Sequence, residues 1–204
     1  MPTLSHVNTS DIRSAIELGC KTMSSVFNAD DSDIPFFASE VLPNPQLSFS
    51  SVHSESHVPG RHLNALLTAE DVAGITIDEE VIEKHSNAAF FSYSGSAPLP
   101  LNRDDLTGPL INFNEHNIRE GFHALFALVK YRGSERADEI AKASIAFLLE
   151  LWKPENGWDW DRLQSEFGLR ASRDHTFITG IARAIGPLVK YSVSYTHLTL
   201  PTKA

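Results

Sequence analysis

The sequence predicts an all-α fold, and three observations support that class. Apolar residues recur at helical spacing in six separate stretches of the chain. Two of these stretches meet at Gly133-Ser134, a turn short enough to join antiparallel helices into a hairpin. Apolar residues make up 42% of the chain and charged residues 21%, which is ordinary for a globular domain.

Helix boundaries follow from residues that start or stop a helix. Asp11, Asp78 and Ser134 stand where a side chain can accept hydrogen bonds from the first free N–H groups of a helix. Gly74 and Gly133 end the apolar pattern of the helices before them. The predicted helices span residues 10–27, 60–73, 78–91, 116–132, 134–152 and 174–191.

Two long polar stretches, 28–58 and 92–114, separate some of these helices. Loops of this length in a compact domain are typically functional or disordered. Both contain apolar and aromatic residues such as Phe36, Phe49 and Leu99, which disordered segments generally lack. We therefore expect ordered loops that cover one face of the helices.

Charge and composition exclude several classes of partner. The formal net charge is −9 and no basic stripe is present, so neither nucleic acid nor an anionic membrane surface is expected as a partner. No stretch resembles a secretory signal or reaches the roughly 18 apolar residues of a membrane span. Cys20 lies within a helical pattern and is expected to be a buried thiol. A cytoplasmic protein without a cofactor is the expectation.

The last residues differ in character from the rest of the chain. Residues 193–202 read VSYTHLTLPT, which resembles a translated sequencing adapter. The stretch contains Pro201 and does not continue the preceding helical period. Residues 193–204 are therefore interpreted as a non-native tail, and residues 1–192 as an incomplete domain.

Two segments resemble the starts of inner helices in the six-hairpin (α/α) toroid. One runs from Asn114 to Leu125 and the other from Thr179 to Gly186, and the resemblance covers about residues 58–191. The toroid is used by glycoside hydrolases, polysaccharide lyases and sugar epimerases. The resemblance implies the N-terminal half of such a domain, acting on a carbohydrate or uronate-containing small molecule, and a truncated chain that is itself inactive. No catalytic motif of a particular family carries over.

The start of the predicted helix 116–132 is the preferred catalytic site. His116, Glu120 and His123 lie at i, i+4 and i+7, which places them on one helical face. A carboxylate beside two imidazoles can perform general acid/base chemistry near neutral pH. Asn114 and Asn117 flank the helix start, where free N–H groups favour an anionic or hydroxyl-rich ligand.

A second polar cluster precedes the helix predicted at residue 60. If residues 47–57 are extended, His53, Glu55 and His57 point to one side and can bind a divalent metal. In the preferred interpretation Glu55 is instead a second catalytic acid, and His57 and Arg61 bind sugar or uronate groups. That interpretation assigns no metal ligand.

A third group of candidates lies further along the chain. The aromatic face of Trp158 can contact sugar C–H groups, and Asp159 can bind hydroxyls. His175, near the start of the last predicted helix, is an additional candidate for substrate contact.

Three functions are therefore compatible with the sequence. The leading hypothesis is a glycoside hydrolase or polysaccharide lyase that uses general acid/base chemistry. The second is a non-catalytic helical scaffold that binds a glycan or a protein. The third is a metal-dependent enzyme that uses His53, Glu55 and His57.

Overall fold

The computed structural model describes residues 11–40, 43, 46–171 and 186–192 of the chain. This part of the protein is mostly helical, as the sequence predicts. The helices are α1 (Ile12–Met23), α2 (Val58–Ala73), α3 (Glu79–Ser92), α4 (Asn117–Arg132), α5 (Glu135–Leu151), α6 (Trp160–Phe167) and α7 (residues 186–192). The region 172–185, which contains most of the sixth predicted helix, and the tail 193–204 lie outside the described residues.

Short strands occupy the segments that connect the helices. The strands are β1 (Phe27–Asn28), β2 (Ile34–Pro35), β3 (Ala38–Glu40), β4 (Gln46–Ser48), β5 (Leu101–Arg103), β6 (Leu110–Phe113), β7 (Trp152–Lys153), β8 (Gly157–Trp158) and β9 (Arg170–Ala171). Antiparallel pairs form between β1 and β2, β3 and β4, and β7 and β8. In the remaining sheet β6 lies between β5, its antiparallel partner, and β9, its parallel partner. The described parts of both long loops are thus ordered.

Helices α2 and α4 lie side by side, run parallel and form the centre of the fold. Their first turns meet where the backbone of Gly60 approaches Glu120, and a Cβ atom on Gly60 would overlap the carbonyl oxygen of Glu120. At their far ends the hydroxyls of Thr68 and Tyr131 are 3.4 Å apart. Glycine at position 60 therefore permits this close contact, because the Cβ atom of any other residue would force the two helices apart.

Apolar side chains at helical spacing fill the space between these helices and their neighbours. Leu63, Leu66 and Leu67 of α2 are fully buried, as are Phe122 and Leu125 of α4. Burying one such side chain contributes about 1.5–3 kcal/mol relative to leaving it exposed. The stripe predicted on residues 116–132 is therefore the stripe that builds the core.

Helices α3 and α5 pack against the outside of α2 and α4, and their boundaries follow from their caps. The carboxylate of Asp78 and the hydroxyl of Ser134 accept hydrogen bonds from the first turns of α3 and α5. Gly74 and Gly133 adopt left-handed backbone at the ends of α2 and α4, where other residues are strained. The predicted hairpin of α4 and α5 around Gly133-Ser134 is confirmed.

Two features of the structure differ from what the sequence analysis considered. Residues 47–57 are not extended throughout, because residues 51–57 form turns that lead directly into α2. Helix α6 was not predicted, although Asp159 caps its start and Gly168 ends it in left-handed backbone. None of the described helices combines the length and apolar character that a membrane crossing requires.

Candidate metal centre

The turns before α2 are fixed by one side chain from strand β5. The side-chain oxygen of Asn102 accepts hydrogen bonds from the backbone N–H groups of Glu55 and Ser56, at 3.2 and 3.1 Å. Its side-chain nitrogen donates to the carbonyl oxygen of Val52 at 2.8 Å. Asn102 is fully buried, so these bonds replace water that the turn would otherwise need. This turn carries His53 and His57.

The start of α4 is joined to the same turn. The side-chain amide of Asn117 donates to the carbonyl oxygen of Val52 at 2.8 Å, beside the bond from Asn102. The side-chain oxygen of Asn114 accepts a hydrogen bond from the backbone N–H of His116 at 3.1 Å. The two segments that the sequence singled out, the turn before α2 and the start of α4, therefore meet at one place.

At this place three histidines converge. Each of His53, His57 and His116 offers one ring nitrogen, and these nitrogens all lie within 4.8 Å of one another. Nδ1 of His57 and Nε2 of His116 are 2.9 Å apart. Among the described residues this is the one group of three or more potential ligands close enough to hold a metal ion. Glu55 is absent from it, so His116 takes the place that the sequence had given to Glu55.

The environment keeps the imidazoles of His53 and His57 neutral, which is the form that binds metals. His57 and His116 are 4% and 7% exposed. Burial and the positive charge of Arg61 lower the pKa of His57 to about 3. Burial and Arg61 also lower the pKa of His53. A neutral imidazole presents a lone pair, and three imidazoles form an established ligand set for a catalytic Zn²⁺ ion.

A cavity of about 530 Å³ opens onto the histidines. His53 and His116 form part of its wall, whereas His57 lies behind them. The remaining wall combines amides, charged groups and an aromatic ring; it includes Asn102, Asp104, Asn112, Phe113, Asn114 and Arg170. An ion held between the three rings would therefore be reached from this cavity.

Glu120 lies behind the cluster and not in the cavity wall. Its carboxylate is 2% exposed and accepts hydrogen bonds from Nε of Arg61 at 3.1 Å and Nε of Arg119 at 2.7 Å. Its Oε1 atom is 3.8 Å from Nε2 of His57. Both guanidinium groups pair with a carboxylate that does not line the cavity, whereas the sequence analysis had assigned acid/base chemistry to Glu120.

Glu55 is directed away from the histidines. Its Oε1 atom accepts a 2.6 Å hydrogen bond from Nε of Arg103, and the other side of that guanidinium binds both carboxylate oxygens of Asp31. The carboxylate of Glu55 is fully buried, which raises its pKa to about 7 against the opposing effect of Arg103. Glu55 therefore ties the turn to β5, and the structure does not place it among the metal-ligand candidates.

The other predicted site residues lie apart from the three rings. His123 is half-buried on α4, and its Nδ1 atom has no hydrogen-bond partner among the described residues. Trp158 packs edge-on against Phe113 with 5.4 Å between ring centroids, and Asp159 caps α6. Trp158 and Asp159 line a separate cavity of about 540 Å³. His175 lies outside the described residues.

Several residues that support the site were not predicted from the sequence. Ser50, whose hydroxyl is 3.2 Å from Nδ1 of His53, and Asn102 are the clearest examples. One available signal was the position of His57 and His116, since each immediately precedes a helix. Comparisons with protein-family models, with curated proteins and with solved structures give no match to this chain.

Proposed function

We propose that this protein is a metal-dependent enzyme whose ion is bound by His53, His57 and His116. One observation carries the proposal, namely three imidazole nitrogens within 4.8 Å of one another at the edge of a cavity. Nitrogen ligands of this kind suit Zn²⁺ and its neighbours Co²⁺, Ni²⁺ and Cu²⁺, and they do not suit Mg²⁺ or Ca²⁺.

The ligand count favours catalysis over a purely structural role. Structural zinc sites are closed by four protein ligands, whereas catalytic sites have three and keep one position for water or substrate. Three histidines beside a cavity match the second pattern. Such an ion acts as a Lewis acid and makes a bound water more acidic, so metal-assisted hydrolysis is the reaction class we propose.

The polarity of the cavity bears on the substrate. Asn112, Asp104 and Arg170 provide amide, carboxylate and guanidinium groups, and Phe113 provides a ring face. Hydroxyl-rich molecules bind to surfaces that combine hydrogen-bonding groups with an aromatic face. We therefore retain a carbohydrate or uronate-containing small molecule as the proposed substrate.

The helix arrangement supports a related proposal about the fold. Parallel, buried α2 and α4 with α3 and α5 outside them resemble an inner and an outer layer of helices. We propose that they belong to an (α/α) toroid. In the second candidate function, a glycoside hydrolase or lyase of this fold, Glu120, His116 and His123 perform acid/base chemistry without a metal.

Titration with Zn²⁺ and with Co²⁺ tests the metal proposal. The wild-type chain should bind one ion, and the bound Co²⁺ should show the visible absorption of a low-coordinate site. His116→Ala removes one of three ligands and should weaken binding by about 100-fold or more. His123→Ala, a histidine of α4 outside the cluster, is the matched control and should change the affinity less than about threefold. A wild-type chain that binds neither ion would refute the proposal.

Chelation separates the two enzymatic candidates. Any turnover of glycan or uronide substrates by the metal-dependent enzyme should disappear after treatment with a chelator and return with Zn²⁺. Turnover that survives chelation and is abolished by Glu120→Gln would instead support the metal-free acid/base enzyme. A chain that binds Zn²⁺ without turning over these substrates would support the metal site and would not support this substrate class.

A further inference from the structure

The two ring nitrogens of His57 have different surroundings. Nδ1 lies 2.9 Å from Nε2 of His116 and 3.4 Å from the side-chain oxygen of Asn117. Nε2 is buried, has no hydrogen-bond partner among the described residues, and faces Oε1 of Glu120 at 3.8 Å. The ring therefore has one nitrogen in the cluster and the other directed at a carboxylate.

The neighbours of His116 determine where the proton of His57 resides. The side-chain oxygen of Asn114 is identified by the backbone N–H of His116, which donates to it. The same oxygen is 3.1 Å from Nδ1 of His116, so Nδ1 carries the proton and Nε2 carries a lone pair. Nε2 of His116 then accepts a hydrogen bond from Nδ1–H of His57.

It follows that, without an ion, Nε2 of His57 presents a lone pair to an anion. A lone pair and a carboxylate oxygen repel each other, which accounts for a separation of 3.8 Å where a hydrogen bond would be near 2.9 Å. An ion bound at Nδ1 reverses this situation. It takes the Nδ1 lone pair, so the proton of the neutral ring must lie on Nε2, where Glu120 can accept it.

We propose that Glu120 is a positioning residue for the metal centre, which accepts the Nε2–H of His57 when Nδ1 binds the ion. This inference rests on the proposed function. Histidine ligands generally donate their second N–H to a carboxylate or carbonyl, which fixes the tautomer and makes the ring a stronger ligand. Ser50 and Asn114 provide oxygens for Nδ1 of His53 and His116, and Glu120 provides one for His57.

The surroundings of Glu120 suit this role. Arg61 and Arg119 hold its carboxylate in place, and the close backbone contact with Gly60 fixes the position of α4 relative to the turn that carries His57. Its side chain is 2% exposed, so water does not compete for Oε1. The carboxylate needs to move by only about 1 Å to reach ordinary hydrogen-bond distance from Nε2.

Zn²⁺ titration of Glu120→Gln provides the first test. Loss of the anionic acceptor should weaken Zn²⁺ binding by about 10- to 100-fold, the usual effect of removing a partner of a histidine ligand. Glu70→Gln is the matched control, because Glu70 is also paired with an arginine but lies near the end of α2, away from the histidines. It should change the Zn²⁺ affinity less than about threefold, with folding of both variants verified by circular dichroism.

Nitrogen NMR of the wild-type histidine rings gives a second reading that does not depend on any variant. Addition of Zn²⁺ should move the proton of His57 from Nδ1 to Nε2, with Nδ1 shifted as a metal-bound nitrogen. Zn²⁺ bound at Nε2 of His57, or unchanged affinity in Glu120→Gln, would overturn this inference and leave the metal site in place. Absence of Zn²⁺ binding to the wild-type chain would instead remove the proposed function.

Discussion

Histidine rings pack at the same spacing in two places among the described residues, the candidate metal centre and the contact between His62 and His85. The ring centroids of His57 and His116 are 4.9 Å apart, and those of His62 and His85 are also 4.9 Å apart. Both pairs are close to edge-on, with interplanar angles of 72° and 86°. Ring distance alone therefore does not distinguish the candidate metal centre from a contact in the protein interior.

The direction of the ring nitrogens makes the difference. In the first pair Nδ1 of His57 faces Nε2 of His116, and His53 adds a third nitrogen beside a cavity. In the second pair His85 uses Nε2 to donate to the carbonyl oxygen of Met23, and Nδ1 of each ring is buried with no partner in the described part of the chain. No third ligand joins His62 and His85 among the described residues. Convergent lone pairs, and not clustered rings, indicate a metal site.

The largest loss of stability is expected at Gly60, where α2 and α4, the helices that follow His57 and His116, make their close backbone contact. Gly60→Ala places a Cβ atom on the carbonyl oxygen of Glu120, and backbone cannot yield as a flexible side chain can. We expect the free energy of unfolding to fall by about 3 kcal/mol, measured by urea denaturation.

A second glycine provides the control for this experiment. Gly19 lies within α1 and a Cβ atom there meets nothing within 4 Å, so Gly19→Ala should raise the free energy of unfolding by about 0.5–1 kcal/mol. Equal effects of the two substitutions would show that the contact between Gly60 and Glu120 does not constrain the helices.

Added Zn²⁺ should raise the free energy of unfolding by a somewhat smaller amount, and this gain should depend on the first histidine pair and not on the second. An ion that binds only the folded chain stabilises it by about 2.7 kcal/mol at a concentration 100 times its dissociation constant. The midpoint of thermal unfolding should therefore rise for the wild type and for His62→Phe, and should rise much less for His116→Ala. A rise that depends on His62 and not on His116 would assign the ion to the second pair and contradict the proposed site.

Through His85, one ring of the second pair, acid should lower the free energy of unfolding by about 2 kcal/mol. Burial lowers the pKa of His85 to about 3 and that of His62 to about 4, so both rings are neutral in the folded chain at pH 7. The unfolded chain takes up the proton of His85 below its ordinary pKa of about 6.5. The contribution of the neutral ring is therefore complete above pH 6.5 and decreases as the pH falls towards 3.

The size of this effect follows from the pKa difference. Between pH 6.5 and pH 5 the fully buried ring of His85 should lose about 2 kcal/mol of stability, at 1.36 kcal/mol per pH unit. Urea denaturation at both pH values, for the wild type and for His85→Leu, measures this difference. If the substitution does not reduce the pH dependence, His85 is not the group that titrates.

The helices were predictable because their signals are local. The apolar stripe of α4 and the glycine at its end lie within a single stretch of sequence, and the structure places both as expected. The boundaries of α3 and α5 are likewise set by Asp78 and Ser134 next to them. The proximity of the two polar clusters was also predictable, since parallel helices in neighbouring hairpins start at the same end of the molecule.

The composition of the candidate site was less predictable because its determinants are distant in sequence. The turn at residues 51–57 depends on Asn102, whose side chain binds the N–H of Glu55 across a separation of 47 residues. Arg103, 48 residues from Glu55, then draws that carboxylate away from the histidines. A local pattern such as His53, Glu55 and His57 contains no information about either contact.

Helices α2 and α4 have the same length, 16 residues, and His57 and His116 directly precede them at an interval of 59 residues. The same interval separates the glycines that end these helices, Gly74 and Gly133, and it separates His116 from His175 in the sequence. For both helices the candidate ligand is the residue directly before the first turn, in right-handed helical backbone, so equivalent local geometry presents two of the three imidazoles.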